Sequence, residues 1–105
     1  MNILLLSGSP LASSRATRLL HHAGEKLALL GHRYTKLHVR DLPAQALLHA
    51  EADNADLQAA NALVVQAQAI VISTPIYKAA YSGILKAYLD LCPRDGLAGK
   101  LILPL

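Results

Sequence analysis

Short runs of apolar residues that alternate with amphipathic segments constrain this fold most. Residues 2–7 read NILLLS and residues 69–74 read AIVIST, and each run stops at a glycine or a proline. Runs that are apolar on both faces are typical of buried parallel strands. Residues 101–105, LILPL, predict the start of a further buried strand, whereas the more polar residues 32–39 predict a strand at the edge of the sheet.

The segments between these strands predict helices. Apolar residues recur at helical spacing from Ala16 to Leu30, from Leu57 to Ala67 and from Tyr81 to Leu89. Residues 41–54 predict a loop with a short helical stretch at best. The resulting β-α alternation requires parallel strands joined by right-handed crossovers. In such sheets ligands bind beyond the carboxyl ends of the strands, so the loops after residues 7 and 73 are the candidate sites.

Composition excludes several classes of protein. The 105 residues are 53% hydrophobic and 16% charged, with a net charge of +3 and four tyrosines as the aromatic residues. The positive charge is scattered, which argues against nucleic-acid binding. The single cysteine, Cys92, excludes an internal disulfide and a zinc site of several thiols, and it reads as a small core residue. The five histidines lack the spacing of metal-binding motifs, which predicts solvated positions and no metal.

Targeting and membrane signals are not evident in the sequence. The first residues lack a basic region followed by a small-residue cleavage site, and no apolar run approaches the roughly 18 residues of a membrane span. We therefore expect a soluble, cytoplasmic protein without membrane association.

The first candidate loop, residues 7–15, reads SGSPLASSR. Gly8 permits a tight turn and a close backbone approach, while Ser9 and Ser14 offer hydroxyl donors beside the amides that begin the next helix. Arg15 could act as a counter-charge, so the loop can hold a phosphate monoester. It matches neither the Walker pattern nor G-x-G-x-x-G. The alternative is that the serines only form turns and cap the helix.

The second candidate loop, residues 74–86, reads TPIYKAAYSGILK. An aromatic residue, Tyr77, beside a phosphate loop suggests a flat ring system, and Ser82 could donate a hydroxyl at the start of the next helix. The alternative is that the tyrosines are ordinary half-buried residues and that Ser82 is a helix cap.

Together the two loops resemble a known family. G-S-P-x-x-x-S and P-x-Y-K-x-x-Y-S-G-x-L-K are similar to the motifs of NADPH-dependent FMN reductases, most of all the branch that serves alkanesulfonate monooxygenases, and the resemblance covers nearly the whole chain. It implies an α/β, flavodoxin-like doubly wound parallel sheet with strand order 2-1-3-4-5. Residues 1–105 would form one FMN-binding domain. Since members have five strands and roughly 180 residues, the sheet is expected to be truncated after the start of strand 4.

The resemblance also implies which residues bind the cofactor. Ser9 and Ser14 would bind the FMN phosphate with help from Thr17, and Arg15 would replace an arginine that many members carry where this chain has Leu11. The segment from Pro75 to Lys78 would run beside the ribityl chain and the isoalloxazine. The implied cofactor-binding residues are Ser9, Ser14, Arg15, Thr17, Pro75, Ile76, Tyr77, Lys78 and Ser82. No catalytic acid or base and no metal is expected, because the cofactors carry hydride transfer.

The implied activity is an NAD(P)H-dependent reduction of FMN, with reduced flavin supplied to a monooxygenase such as an alkanesulfonate monooxygenase. FMN and NAD(P)H are the implied cofactors, and a homo-oligomer is expected. Two alternatives stay open: an FMN-containing quinone or azo-compound reductase, and an inactive truncated fragment. Because the fourth strand would lack cover, we expect either a longer polypeptide or self-association across that strand.

Overall fold

The computed structural model describes residues 1–11, 13–77, 80–92 and 95–105, with only the backbone described at residues 76, 77, 80 and 81. In chain order the helices and strands are β1 (Asn2–Ser7), α1 (Arg15–Leu29), β2 (Arg33–His38), α2 (Ala44–Leu48), α3 (Ala55–Gln66), β3 (Ala69–Ser73), β4 (Ile76–Tyr77), β5 (Ala80–Tyr81), α4 (Gly83–Leu91) and β6 (Leu101–Pro104).

The main sheet has four parallel strands in the order β2-β1-β3-β6. The expected flavodoxin-like order is thereby confirmed for its first four strands. β1 is buried from Ile3 to Ser7, as its unbroken apolar run predicts. β2, at the edge, is mostly exposed or half-buried, which agrees with its more polar sequence.

Helices cover both faces of the sheet. On one face Leu20 of α1 packs against Ile3, Leu5 and Val71. On the other face residues from α2, α3 and α4 pack against the alternate side chains of β1 and β3, such as Leu4 and Ile70. The central strands β1 and β3 therefore bury side chains on both faces of the sheet, which is the arrangement of a doubly wound fold.

Residues 41–54 contain the five-residue helix α2, which is the short helical stretch that the sequence allows there. Cys92 caps the end of α4 and packs against the core, as expected. Burial raises the pKa of the Cys92 thiol. The predicted loop after β3 contains the antiparallel pair β4 and β5. α4 begins at Gly83, and the Ser82 hydroxyl caps it, in agreement with the helix start expected at these two residues.

The outer strand β6 is covered unevenly. Ile102 packs against the core, whereas Leu101 and Leu103 on its other side are 67% and 53% exposed. Of the residues expected to lack cover here, Leu103 and Leu105 are exposed, whereas Ile102 packs against the core. None of the helices within the described ranges is long and apolar enough to cross a membrane.

Gly8, directly after β1, lies against α4. A Cβ atom at this position would stand 2.8 Å from the Cβ of Leu85, and Leu85 is buried. The helix can therefore approach the end of β1 closely only because residue 8 has no side chain.

We predict that Gly8→Ala lowers the free energy of unfolding by about 1–3 kcal/mol, the usual range for overpacking. Gly83→Ala is the matched control, because a Cβ at Gly83 meets no atom within 4 Å. Chemical denaturation should show a lower free energy of unfolding for Gly8→Ala and an unchanged or slightly higher one for Gly83→Ala. Equal stabilities would contradict the tight contact between residue 8 and α4.

Candidate functional site

The candidate site lies at the carboxyl ends of β1 and β3. Ser7 and Ser73 are register partners, so these neighbouring strands end level. The Gly8 N–H donates to the Ser73 carbonyl at 2.8 Å, which carries the pairing one residue further. The first loop (residues 8–14) and the second loop (residues 74–82) therefore leave the sheet side by side, as the sequence predicts.

Three hydroxyl groups lie together where the first loop meets α1, and two of them share one carbonyl. Ser9 and Thr17 both donate to the Leu11 carbonyl, at 3.0 and 3.3 Å. The Ser14 hydroxyl lies 3.0 Å from that of Thr17 and accepts the Thr17 N–H at 3.1 Å. Ser14 is thus the N-cap of α1, the structural role considered for it, and the predicted phosphate serines do lie together with Thr17.

The start of α1 makes this loop favourable for an anion. α1 runs for 15 residues and has no acidic residue in its first turn. The aligned peptide dipoles of such a helix place partial positive charge at its N-terminus, where phosphate groups bind readily. Arg15 and Arg18 lie exposed in the first turn and add formal positive charge.

The second loop is held by Thr74. Its hydroxyl accepts the Ser82 N–H at 3.1 Å and donates to the Pro75 carbonyl at 3.2 Å. Pro75 itself is half-buried. Lys78, and the side chains of Ile76 and Tyr77, lie outside the described residues, so their expected contacts with a flat ring stay predictions.

Ser82 joins the two loops. It is 1% exposed, and its hydroxyl donates to the Gly8 carbonyl at 2.5 Å while accepting the Leu85 N–H at 3.2 Å. The structure therefore assigns to this side chain the role of positioning the first loop against α4. Direct contact between Ser82 and a cofactor stays a prediction.

Sequence reasoning missed three residues that fix the first loop. Ser73 donates its hydroxyl to the Ala16 carbonyl at 2.7 Å, and the hydroxyl of Ser7 lies 3.5 Å from that of Thr17. A serine that closes an otherwise apolar strand is the signal that could have identified both. Arg40 donates from Nε to the Pro10 carbonyl at 3.0 Å, a contact 30 residues apart in sequence with no local signal.

Comparison with known proteins identifies relatives of this chain. The family model for NADPH-dependent FMN reductase matches residues 1–105 of this chain. An FMN reductase (NADPH) of Pseudomonas putida KT2440 is 42% identical over all of this chain and 53% of its own length. The corresponding FMN reductase (NADPH) of Escherichia coli K12 is 40% identical over all of this chain and 55% of its own length.

A solved structure extends the likeness to three dimensions. The apo form of the NADH:FMN oxidoreductase EMOB superposes with a TM-score of 0.89 at 40% identity, over 98% of this chain and 56% of the other. The chain thus spans about half the length of the relatives it matches.

We predict that Ser82→Ala destabilises the protein by about 1–3 kcal/mol, because it leaves the buried Gly8 carbonyl without its hydroxyl donor and removes the cap of α4. Ser13→Ala is the matched control, since Ser13 belongs to the first loop and is exposed. Urea denaturation of both variants measures the difference in their free energies of unfolding. If Ser82→Ala is as stable as the control, Ser82 does not hold the two loops together.

Proposed function

The chain belongs to the NADPH-dependent FMN reductase family, and from this premise we propose that it forms the FMN-binding part of an NAD(P)H-dependent flavin reductase. The observation that carries the proposal is the hydroxyl cluster of Ser9, Ser14 and Thr17 at the N-terminus of α1, beside the second loop. The proposed reaction moves hydride from NAD(P)H to FMN and releases reduced flavin in the cytoplasm to a monooxygenase.

The donor set of the first loop suits a phosphate monoester. Hydroxyl groups and helix amides donate to phosphate oxygens, and the dipole of α1 favours a dianion. The hydroxyls of Ser9 and Thr17 already converge on one oxygen acceptor, the Leu11 carbonyl. A phosphate oxygen is an acceptor of the same kind, so FMN would replace that carbonyl as their partner. Arg15 would supply the formal charge.

The rest of the cofactor extends in this proposal from the first loop to the second. The hydrogen bonds of Ser82 and Thr74 hold the second loop against Gly8, so the segment from Pro75 to Lys78 begins next to the phosphate site. When bound, FMN supplies the ring that accepts hydride. The residues of this chain then act by binding the phosphate and orienting the ring, and no side chain has to transfer a proton.

The first test is flavin affinity. We predict that Ser9→Ala and Ser14→Ala each weaken FMN binding by about 1–3 kcal/mol, the scale of a hydrogen bond to a charged group. Riboflavin, which lacks the phosphate, should bind equally to parent and variants, and Ser13→Ala should leave both affinities unchanged. Flavin fluorescence quenching measures both affinities in the parent and in the three variants. A loss of riboflavin affinity equal to that for FMN would refute the phosphate assignment.

The second test is turnover. We predict FMN-dependent oxidation of NADPH, with the KM for FMN raised roughly 5- to 140-fold by Ser14→Ala, the range that corresponds to the same lost hydrogen bond. The kcat should change little, because the phosphate lies apart from the reacting ring. FMN that stays bound after each turnover and passes electrons to a quinone or azo compound would instead identify the alternative reductase activity.

A further inference from the structure

His21 of α1 and His38 of β2 face each other across the helix–strand boundary. Their Nε2 atoms lie 3.4 Å apart, and the rings meet nearly at right angles with centroids 5.3 Å apart. Both residues are half-buried, as is His32, whereas His22 and His49 are exposed as expected. The expectation of solvated positions is therefore corrected for these three histidines. The βαβ crossover brings His21 and His38 together from 17 positions apart in sequence.

The distance between the two nitrogens fits one shared metal ion. A zinc ion lies about 2.0–2.1 Å from each imidazole nitrogen. Two nitrogens separated by 3.4 Å would then subtend roughly 110° at the ion, close to the tetrahedral angle of protein zinc sites. The same distance is that of a hydrogen bond in which one Nε2 donates to the other, so the ion would replace the proton that the two rings share.

We propose that His21 and His38 bind a divalent transition-metal ion that prefers imidazole ligands, such as Zn²⁺, with water completing its coordination. Imidazole nitrogens suit zinc, nickel and copper rather than magnesium or calcium. The two histidines line a cavity of about 170 Å³ together with Arg40 and Asp41, which leaves room for an ion and its waters. Within the described ranges, no group of three or more histidine, cysteine or carboxylate side chains could hold a metal, so the site has two protein ligands.

Charged groups of both signs border the cavity. Asp41 lies beside the cavity as a negative charge, and Arg40 is directed to the Asp41 carboxylate at 3.6 Å and to the Pro10 carbonyl.

The position of the pair gives the ion a structural effect. His21 follows Thr17 by one helical turn, and His38 ends β2 opposite Ser7 in the register. A bound ion would therefore fasten α1 to β2 next to the first loop, and it should stabilise the folded chain by mass action. This site consists of other residues than the proposed flavin site, so a negative result for one proposal leaves the other unaffected.

The test is a Zn²⁺ titration of tag-free, chelator-treated protein by calorimetry, with variants His21→Ala, His38→Ala and His22→Ala. We expect one saturable site in the parent and in His22→Ala, an exposed neighbour on the same helix. His21→Ala and His38→Ala should each weaken binding at least about tenfold, the lower end of the loss seen when even an outer-shell partner is removed. His21→Gln and His38→Gln, which keep a polar side chain, should show the same loss if an alanine variant unfolds.

Thermal unfolding supplies the second measurement. Zn²⁺ should raise the Tm of the parent and of His22→Ala but not that of the His21 or His38 variants. Either of two results would overturn the proposal: no saturable one-to-one site in the parent, or an equal loss of affinity in His22→Ala and His21→Ala.

Discussion

The level ending of two neighbouring parallel strands is the constraint on which the rest of this structure depends. β1 and β3 pair in parallel and end together at Ser7 and Ser73, and the Gly8 N–H extends the pairing to the Ser73 carbonyl. Right-handed crossovers then bring the start of α1 and the start of α4 to the same edge of the sheet. Two loops that are about 65 residues apart in sequence thereby become neighbours through backbone geometry alone.

Burial of this edge requires the polar groups there to be satisfied. Ser7, Ser9, Thr17, Ser73 and Ser82 are all about 99% buried, yet no buried side-chain nitrogen or oxygen in the described part of the chain lacks a hydrogen-bond partner. A fully satisfied network of this kind holds its members in one arrangement. The hydroxyls of Ser9 and Thr17 are therefore held in place by the protein itself, and in the proposed site a phosphate oxygen would have to compete with the Leu11 carbonyl for them.

The sequence predicts those features that depend on local patterns. Unbroken apolar runs identify β1 and β3, helical spacing identifies α1 and α3, and the serine before α1 identifies its cap. Features that depend on distant contacts are not predicted, such as the Arg40–Pro10 and His21–His38 contacts, which join separate elements. No periodicity within either partner marks such pairs, because each residue alone resembles an ordinary surface residue.

Gly8 shows how steric and polar requirements at the site reinforce each other. A glycine after a strand suggests a tight turn that needs positive φ, but Gly8 is not among the positive-φ residues, which include Gly31 and Gly99. What the position requires is space, since Leu85 occupies the place of a Cβ. That close approach also brings the Ser82 hydroxyl to the Gly8 carbonyl. The absence of one side chain therefore permits both the packing of α4 and the hydrogen bond that fixes the first loop.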